Sequence, residues 1–412
     1  MFSKGKYILI QSLLMLLSPI VSFVVAIKFY KQGISQIFML IFAFYFGMHF
    51  YIGDDLTNHY INMRMFYSGK SWNEIISNPL VFGIGHDYYH ILMKYLISRF
   101  TNSKTIFAGI NALIYAAIFI NFFREFRYYY KNFMPVMCGI LLLCVIFTVQ
   151  FYWYGGVRFW FGAFFFAGFY LRCLNTEKRR YLLISFLCFL FHFSLITLPL
   201  VWIANWALSK LWVGVRVILL TISLLFRFIH FDFVPLLVKY VPGAEVMGLS
   251  RIDQRIHEDL LRYNAEIRNS GNMVYLHRNE VLLFFSGILL LLFWSRKVTV
   301  TKKNMSIFFY SMTIFTLVNF GYTELIFYDR FLKMCVLMIY TFLFIVSYEN
   351  YERLKGVSLI IMMISAVPML FAILTPLVEM RRHLYSPELL FGNFFIDWTG
   401  GISSVHGKWY ND

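Results

Sequence analysis

Eleven apolar runs punctuate the chain, near residues 7–27, 34–52, 106–123, 133–150, 158–173, 181–208, 213–229, 281–294, 305–321, 330–348 and 357–376. Most approach the roughly 20 helical residues needed to cross about 30 Å of hydrocarbon. In lipid every backbone polar group must be satisfied within the chain, so such runs fold as helices. Of the 412 residues, 60% are hydrophobic and only 14% charged, more apolar surface than a soluble core could bury. The chain reads as an all-α, polytopic helical membrane protein with a single integral membrane domain over 1–412. The run 181–208 is too long for one crossing and contains Pro199, so it is divided near His192–Ser194, giving about twelve spans. The first run has no small-residue cleavage site and is taken as a retained first span, not a signal peptide.

The charges supply a direction. There are 37 Lys and Arg against 21 Asp and Glu, a net charge of +16. The loops 28–33, 124–132, 172–180, 208–216, 295–304 and 349–356 together span 51 residues and hold 17 basic side chains but only four acids. That segregation follows the positive-inside rule and explains the basic excess without nucleic acid. It puts these loops in the cytoplasm, both termini outside, and three larger segments outside: 53–105, 230–280 and the tail 377–412. The first contains a capping box, Ser71-x-x-Glu74, opening a short helix at 72–77. Within the second, Ile252, Ile256, Leu260, Tyr263 and Ile267 recur at helical spacing opposite a face of balanced charge. A lipid-binding helix would be polybasic; this one reads as a cover lying flat on the membrane domain.

Phosphate-binding GxxxxGK[ST] loops, HExxH, GxGxxG and GxSxG are all absent. The pair in His86-Asp87-x-x-His90 has metal-ligand spacing but no third ligand, so neither a metal nor a cofactor is expected. His257 and His277 read as solvated. The five cysteines lie in or beside apolar runs and read as buried, inert thiols. More informative residues stand where a span meets the outside. Asp54 and Asp55 follow the second run; two adjacent acids at a membrane border are either solvated caps or groups with work to do, a base or a sugar ligand. Arg158, after Gly155-Gly156-Val157, opens an otherwise uncharged aromatic run and suits an anion. His192 sits at membrane depth in the divided run. Arg330 follows Tyr328-Asp329, where a guanidinium can grip phosphate with two nitrogens.

Around these residues the sequence resembles the EpsG-like branch of the Wzy-type polysaccharide polymerases, bacterial proteins of exopolysaccharide and O-antigen synthesis. The stretches that carry the likeness are GDDLTNHYINMRMFYSGKSWNEI, GGVRFWFGAFFFAGFYL, KRRYLLISFLCFLFHFSLITLPL and YDRFLKM. The resemblance implies a membrane glycosyltransferase of GT-C-like architecture in the bacterial inner membrane, its site facing the periplasm. Such enzymes join oligosaccharide repeat units linked to undecaprenyl diphosphate, without nucleotide sugar or ATP. A flippase and a chain-length regulator are its implied partners. On that reading Arg158 and Arg330 hold the diphosphate, and His192, Asp54 or Asp55 takes the acceptor proton. His59, Tyr60, Arg64 and Trp160 contact sugar or lipid, while Tyr152, Trp153 and Tyr154 could stack on sugar rings or, with most of the neighbouring aromatics, form an interfacial belt. Two other readings stand beside it: a GT-C enzyme using a polyprenyl-monophosphate sugar, and a lipid-linked oligosaccharide transporter.

Overall fold

The computed structural model describes residues 4–29, 33–49, 54–78, 81, 87–129, 134–149, 158–229, 273–320 and 325–383. Among them there is helix and no strand. In chain order the helices are α1 (Lys4–Leu17), α2 (Pro19–Lys28), α3 (Gly33–His49), α4 (Asp54–Phe66), α5 (Trp72–Ile76), α6 (Tyr88–Ser98), α7 (Lys104–Phe126) and α8 (Val136–Thr148). They continue with α9 (Phe159–Thr176), α10 (Arg179–Phe186), α11 (Thr197–Leu208), α12 (Val213–Ile229), α13 (Met273–Ser295), α14 (Lys302–Phe320), α15 (Leu325–Glu349) and, after a single helical turn at Tyr351–Leu354 and a 3₁₀ turn at Lys355–Val357, α16 (Ser358–His383). Among the described residues three stretches, Lys104–Phe126, Tyr328–Glu349 and Tyr351–Phe371, are long and apolar enough to cross a membrane, and six further helices are apolar but shorter.

The centre of the bundle is α15. Its apolar window is 94% buried, against 39% for α7 and 28% for Tyr351–Phe371. A helix apolar on every side is stable only when wrapped by others, and α15 packs on α8, α13 and α14. Next to this group α9 lies against α7, and α7 against α3. One end of the bundle collects the basic segments: Arg172 pairs with Glu125 at 2.6 Å, Asn304 bonds Glu349 and Asn350 bonds Thr299. The Arg172–Glu125 pair is mostly buried and also reaches Asn121, so it ties α7 to α9 where water is scarce.

Two of the apolar runs fold back on themselves. The division of 181–208 lies where expected. After α10 the chain makes a 3₁₀ turn (Leu187–Leu190), breaks at Phe191–His192, makes a second (Phe193–Ile196) and enters α11. Phe186 meets Trp202 at 5.7 Å and Cys188 faces Leu195, so the two arms are antiparallel with His192 at the tip. The ascending arm of α10 plus one 3₁₀ turn rises only about 20 Å. It lies on α9 because Gly162 leaves room: a Cβ there would meet Leu195 Cδ1 and stand 2.8 Å from the Cys188 carbonyl.

The first run corrects the single retained span. It is a hairpin, α1 and α2, turning at Ser18-Pro19, where an extended serine precedes a proline that has no N–H to donate. Tyr7 packs edge-on against Phe29, and Gln11 meets Ser22 at 2.7 Å. Its two ends therefore share a side, which removes the argument for placing the N-terminus opposite loop 28–33. Segment 53–105 is likewise more than a loop with one short helix. It holds α4, α5 and α6, with the Ser71–Glu74 capping box formed as expected. The helix α16 continues to His383, seven residues into the expected tail. The expected helix at 250–268 and the aromatic trio Tyr152, Trp153 and Tyr154 fall outside the described residues. All five cysteines are free; four are buried and Cys173 is half-buried.

Candidate functional site

The end of the bundle away from the basic segments gathers the residues that sequence singles out. Arg158 stands immediately before α9, His192 at the hairpin tip and Arg330 in the second turn of α15. The Phe159 ring joins the last two. Its centroid lies 5.9 Å from the His192 ring and 5.7 Å from the Arg330 guanidinium, a cation–π contact. Arg158, His192 and Arg330 are all half-buried. The charges acting on His192 are those of Asp87, Arg330 and Arg158, two cations against one anion.

Asp87 is the residue that sequence reasoning missed. It precedes α6, and its Oδ2 accepts from Arg158 Nη1 at 2.8 Å while Oδ1 accepts the Phe193 backbone N–H at 2.9 Å. A helix broken within an apolar run needs partners for its freed backbone groups, and this carboxylate supplies one. His192 supplies another, because its Nδ1 accepts the Ser194 N–H at 3.2 Å. The neutral ring then carries its proton on Nε2 and presents a donor.

His59 of α4 stacks on His90 of α6, ring centroids 4.4 Å apart, and both are buried. Burial, then Lys94 and Arg158, lowers His59 to about 2. Burial, then His59, Lys94, Arg158 and His192, holds His90 well below its usual value. Both imidazoles are neutral in the fold, whereas the unfolded chain takes up protons below about pH 6.5. The contribution of His59 is full above that pH and is lost as pH falls toward its folded value, the loss reaching about 2 kcal/mol by pH 5, and His90 acts in the same direction. Thermal unfolding of detergent-solubilised protein is expected to come markedly earlier at pH 5 than at pH 7.5. His59→Phe with His90→Phe is expected to flatten that difference, and an undiminished acid effect in the double variant would place its origin elsewhere.

The other sequence candidates are scattered. Tyr60 donates to the Asn102 carbonyl at 2.7 Å, and Arg64 is exposed on α4. Trp160 is 1% exposed and packs on Phe159 and Phe164, so it offers no face to a sugar; the aromatic helix is covered on that side too. Asp54 and Asp55 open α4, and Asp55 precedes His59 by about one turn. His86 lies outside the described residues, while Asp87 and His90 of the same motif serve an ion pair and a ring stack. Among the described residues no His, Cys, Asp and Glu cluster could hold a metal. A cleft of about 490 Å³ lined by Tyr348, Glu349, Asn350 and Arg353 lies at the basic end, away from all of these. Compared with known proteins, the chain matches no family model, no curated protein and no solved structure.

Proposed function

We propose that the chain is a membrane glycosyltransferase that polymerises oligosaccharide repeat units carried on a polyprenyl diphosphate, at the outer face of the bacterial cytoplasmic membrane. The observation that carries this reading is that Arg330 and His192 meet on the Phe159 ring while Arg158 is held to the same hairpin tip through Asp87, at the end away from the basic segments. Transfer from a lipid diphosphate breaks the bond between the sugar's anomeric carbon and a phosphate oxygen. Diphosphate leaves well unaided, so catalysis rests on stabilising the charge that builds on it. Two guanidinium groups suit two phosphates, since each presents a fork of donors that stays charged. His192 adds an N–H to the same oxygens. The acceptor hydroxyl loses its proton as it attacks, and Asp54 or Asp55, beginning α4, is our candidate for taking it.

Donor and acceptor are both lipid-linked repeat units, and a flippase that delivers them and a chain-length regulator are the partners this reading implies. A polyprenyl-monophosphate enzyme fits less well, because one phosphate gives two arginines less to hold. Deleting the gene is expected to leave single repeat units on their lipid carrier or acceptor and to abolish the long-chain ladder, scored on a gel of surface polysaccharide. An intact ladder, in a strain with no second polymerase, would contradict the proposal.

A further inference from the structure

We infer that Asp87 is a positioning residue that fixes Arg158 to the hairpin tip and so sets the geometry in which a diphosphate is gripped; this rests on the proposed diphosphate reading. Three distant parts of the chain meet at this carboxylate. It precedes α6, binds the guanidinium that precedes α9, and holds the first backbone N–H after the break at Phe191–His192. Its side chain is 9% exposed and that of Arg158 is 35% exposed. The arginine therefore faces the surroundings with the carboxylate behind it. Both Asp87 oxygens are engaged, one by Arg158 and one by Phe193 N–H, so the group is placed to orient its neighbours and poorly placed to take a proton from an acceptor sugar. Through Phe193 the same carboxylate holds the residue after His192, whose own ring caps the next turn through Ser194. Arg158 and the His192 donor are thereby set by one anchor.

Electrostatics and positioning make opposite forecasts, which gives the inference a sharp test. Removing a negative charge beside an anion site should tighten anion binding if charge alone matters. If Asp87 positions Arg158, Asp87→Asn should weaken it, because the guanidinium loses its anchor while Asn Oδ1 still accepts from Phe193. The experiment measures inorganic pyrophosphate binding to the full-length protein in detergent, by stabilisation against thermal unfolding, beside polymer formation in cells. Asp87→Asn is expected to bind pyrophosphate several-fold more weakly and to polymerise about tenfold less, in keeping with the cost of sub-ångström misplacement. Asp87→Glu keeps the charge but shifts the anchor by one methylene, and is expected to fold normally and to bind less well; it decides the matter should the Asn variant fail to fold. Folded variants that bind pyrophosphate as well as the parent, or better, would overturn the role of Asp87 alone. A parent protein that pyrophosphate does not stabilise would overturn the diphosphate reading and this inference with it.

Discussion

Replacing Arg330 by alanine is expected to lower polymer formation about a hundredfold, on the order of 3 kcal/mol in the barrier, while the folded protein is recovered at near-normal levels. On the proposed mechanism the leaving diphosphate gains further negative charge as the bond to the anomeric carbon breaks, so a guanidinium there lowers the transition state more than the ground state. Arg158→Ala is expected to cost at least as much, with a second effect. It leaves Asp87, 9% exposed, without its cation, and folded yield should fall as well. Arg158→Lys separates the two contributions: the ammonium keeps the charge beside Asp87 but lacks the fork, so folding should recover more fully than activity. Polymer length in cells, read beside the detergent-extracted monodisperse fraction, distinguishes these outcomes. A normal ladder from both alanine variants would remove the arginines from the mechanism and leave Asp54 and Asp55 as the residues to examine.

The second large effect concerns Gly162. The ascending arm of the hairpin rests on α9 here, and any Cβ at this position meets Leu195 Cδ1 and the Cys188 carbonyl. The leucine end can rotate aside; the backbone carbonyl cannot. Gly162→Val is expected to destabilise the fold by about 1–3 kcal/mol through overpacking and to push the arm, with His192, away from Phe159. Polymer formation should fall further than stability alone explains. Gly287→Ala is the control, since nothing lies within 4 Å of a Cβ at that position. Equal unfolding temperatures for Gly162→Val and the parent would show that the arm does not sit where described.

What the sequence disclosed follows from cost. Arg158, His192 and Arg330 stood out because an ionisable group at the edge of an apolar run is expensive to keep; the structure brings His192 and Arg330 to one ring and ties Arg158 to the same hairpin tip through Asp87. The break in 181–208 was legible because 28 residues exceed one crossing. The break at Pro19 was not, since 7–27 has the length of an ordinary span; the Ser18-Pro19 pair, a cap followed by proline, was the signal to weigh. Asp87 escaped because its partner lies 71 residues away. Spacing within a motif carries no record of such a contact, and His86-Asp87-x-x-His90 drew attention to its histidines. The burial of Trp160 was not legible, because a helix that is apolar all round does not announce which face meets lipid and which meets its neighbours.

The most direct measurement reconstitutes the purified protein in lipid vesicles with a synthetic polyprenyl-diphosphate-linked repeat unit as both donor and acceptor, with no nucleotide sugar present. Products are resolved by length. The account predicts a ladder of multiples of the repeat unit, released polyprenyl diphosphate in step with each linkage, and loss of both with Arg158→Ala or Arg330→Ala. Addition of a single sugar from a polyprenyl-monophosphate donor, or no linkage at all from folded protein, would contradict it.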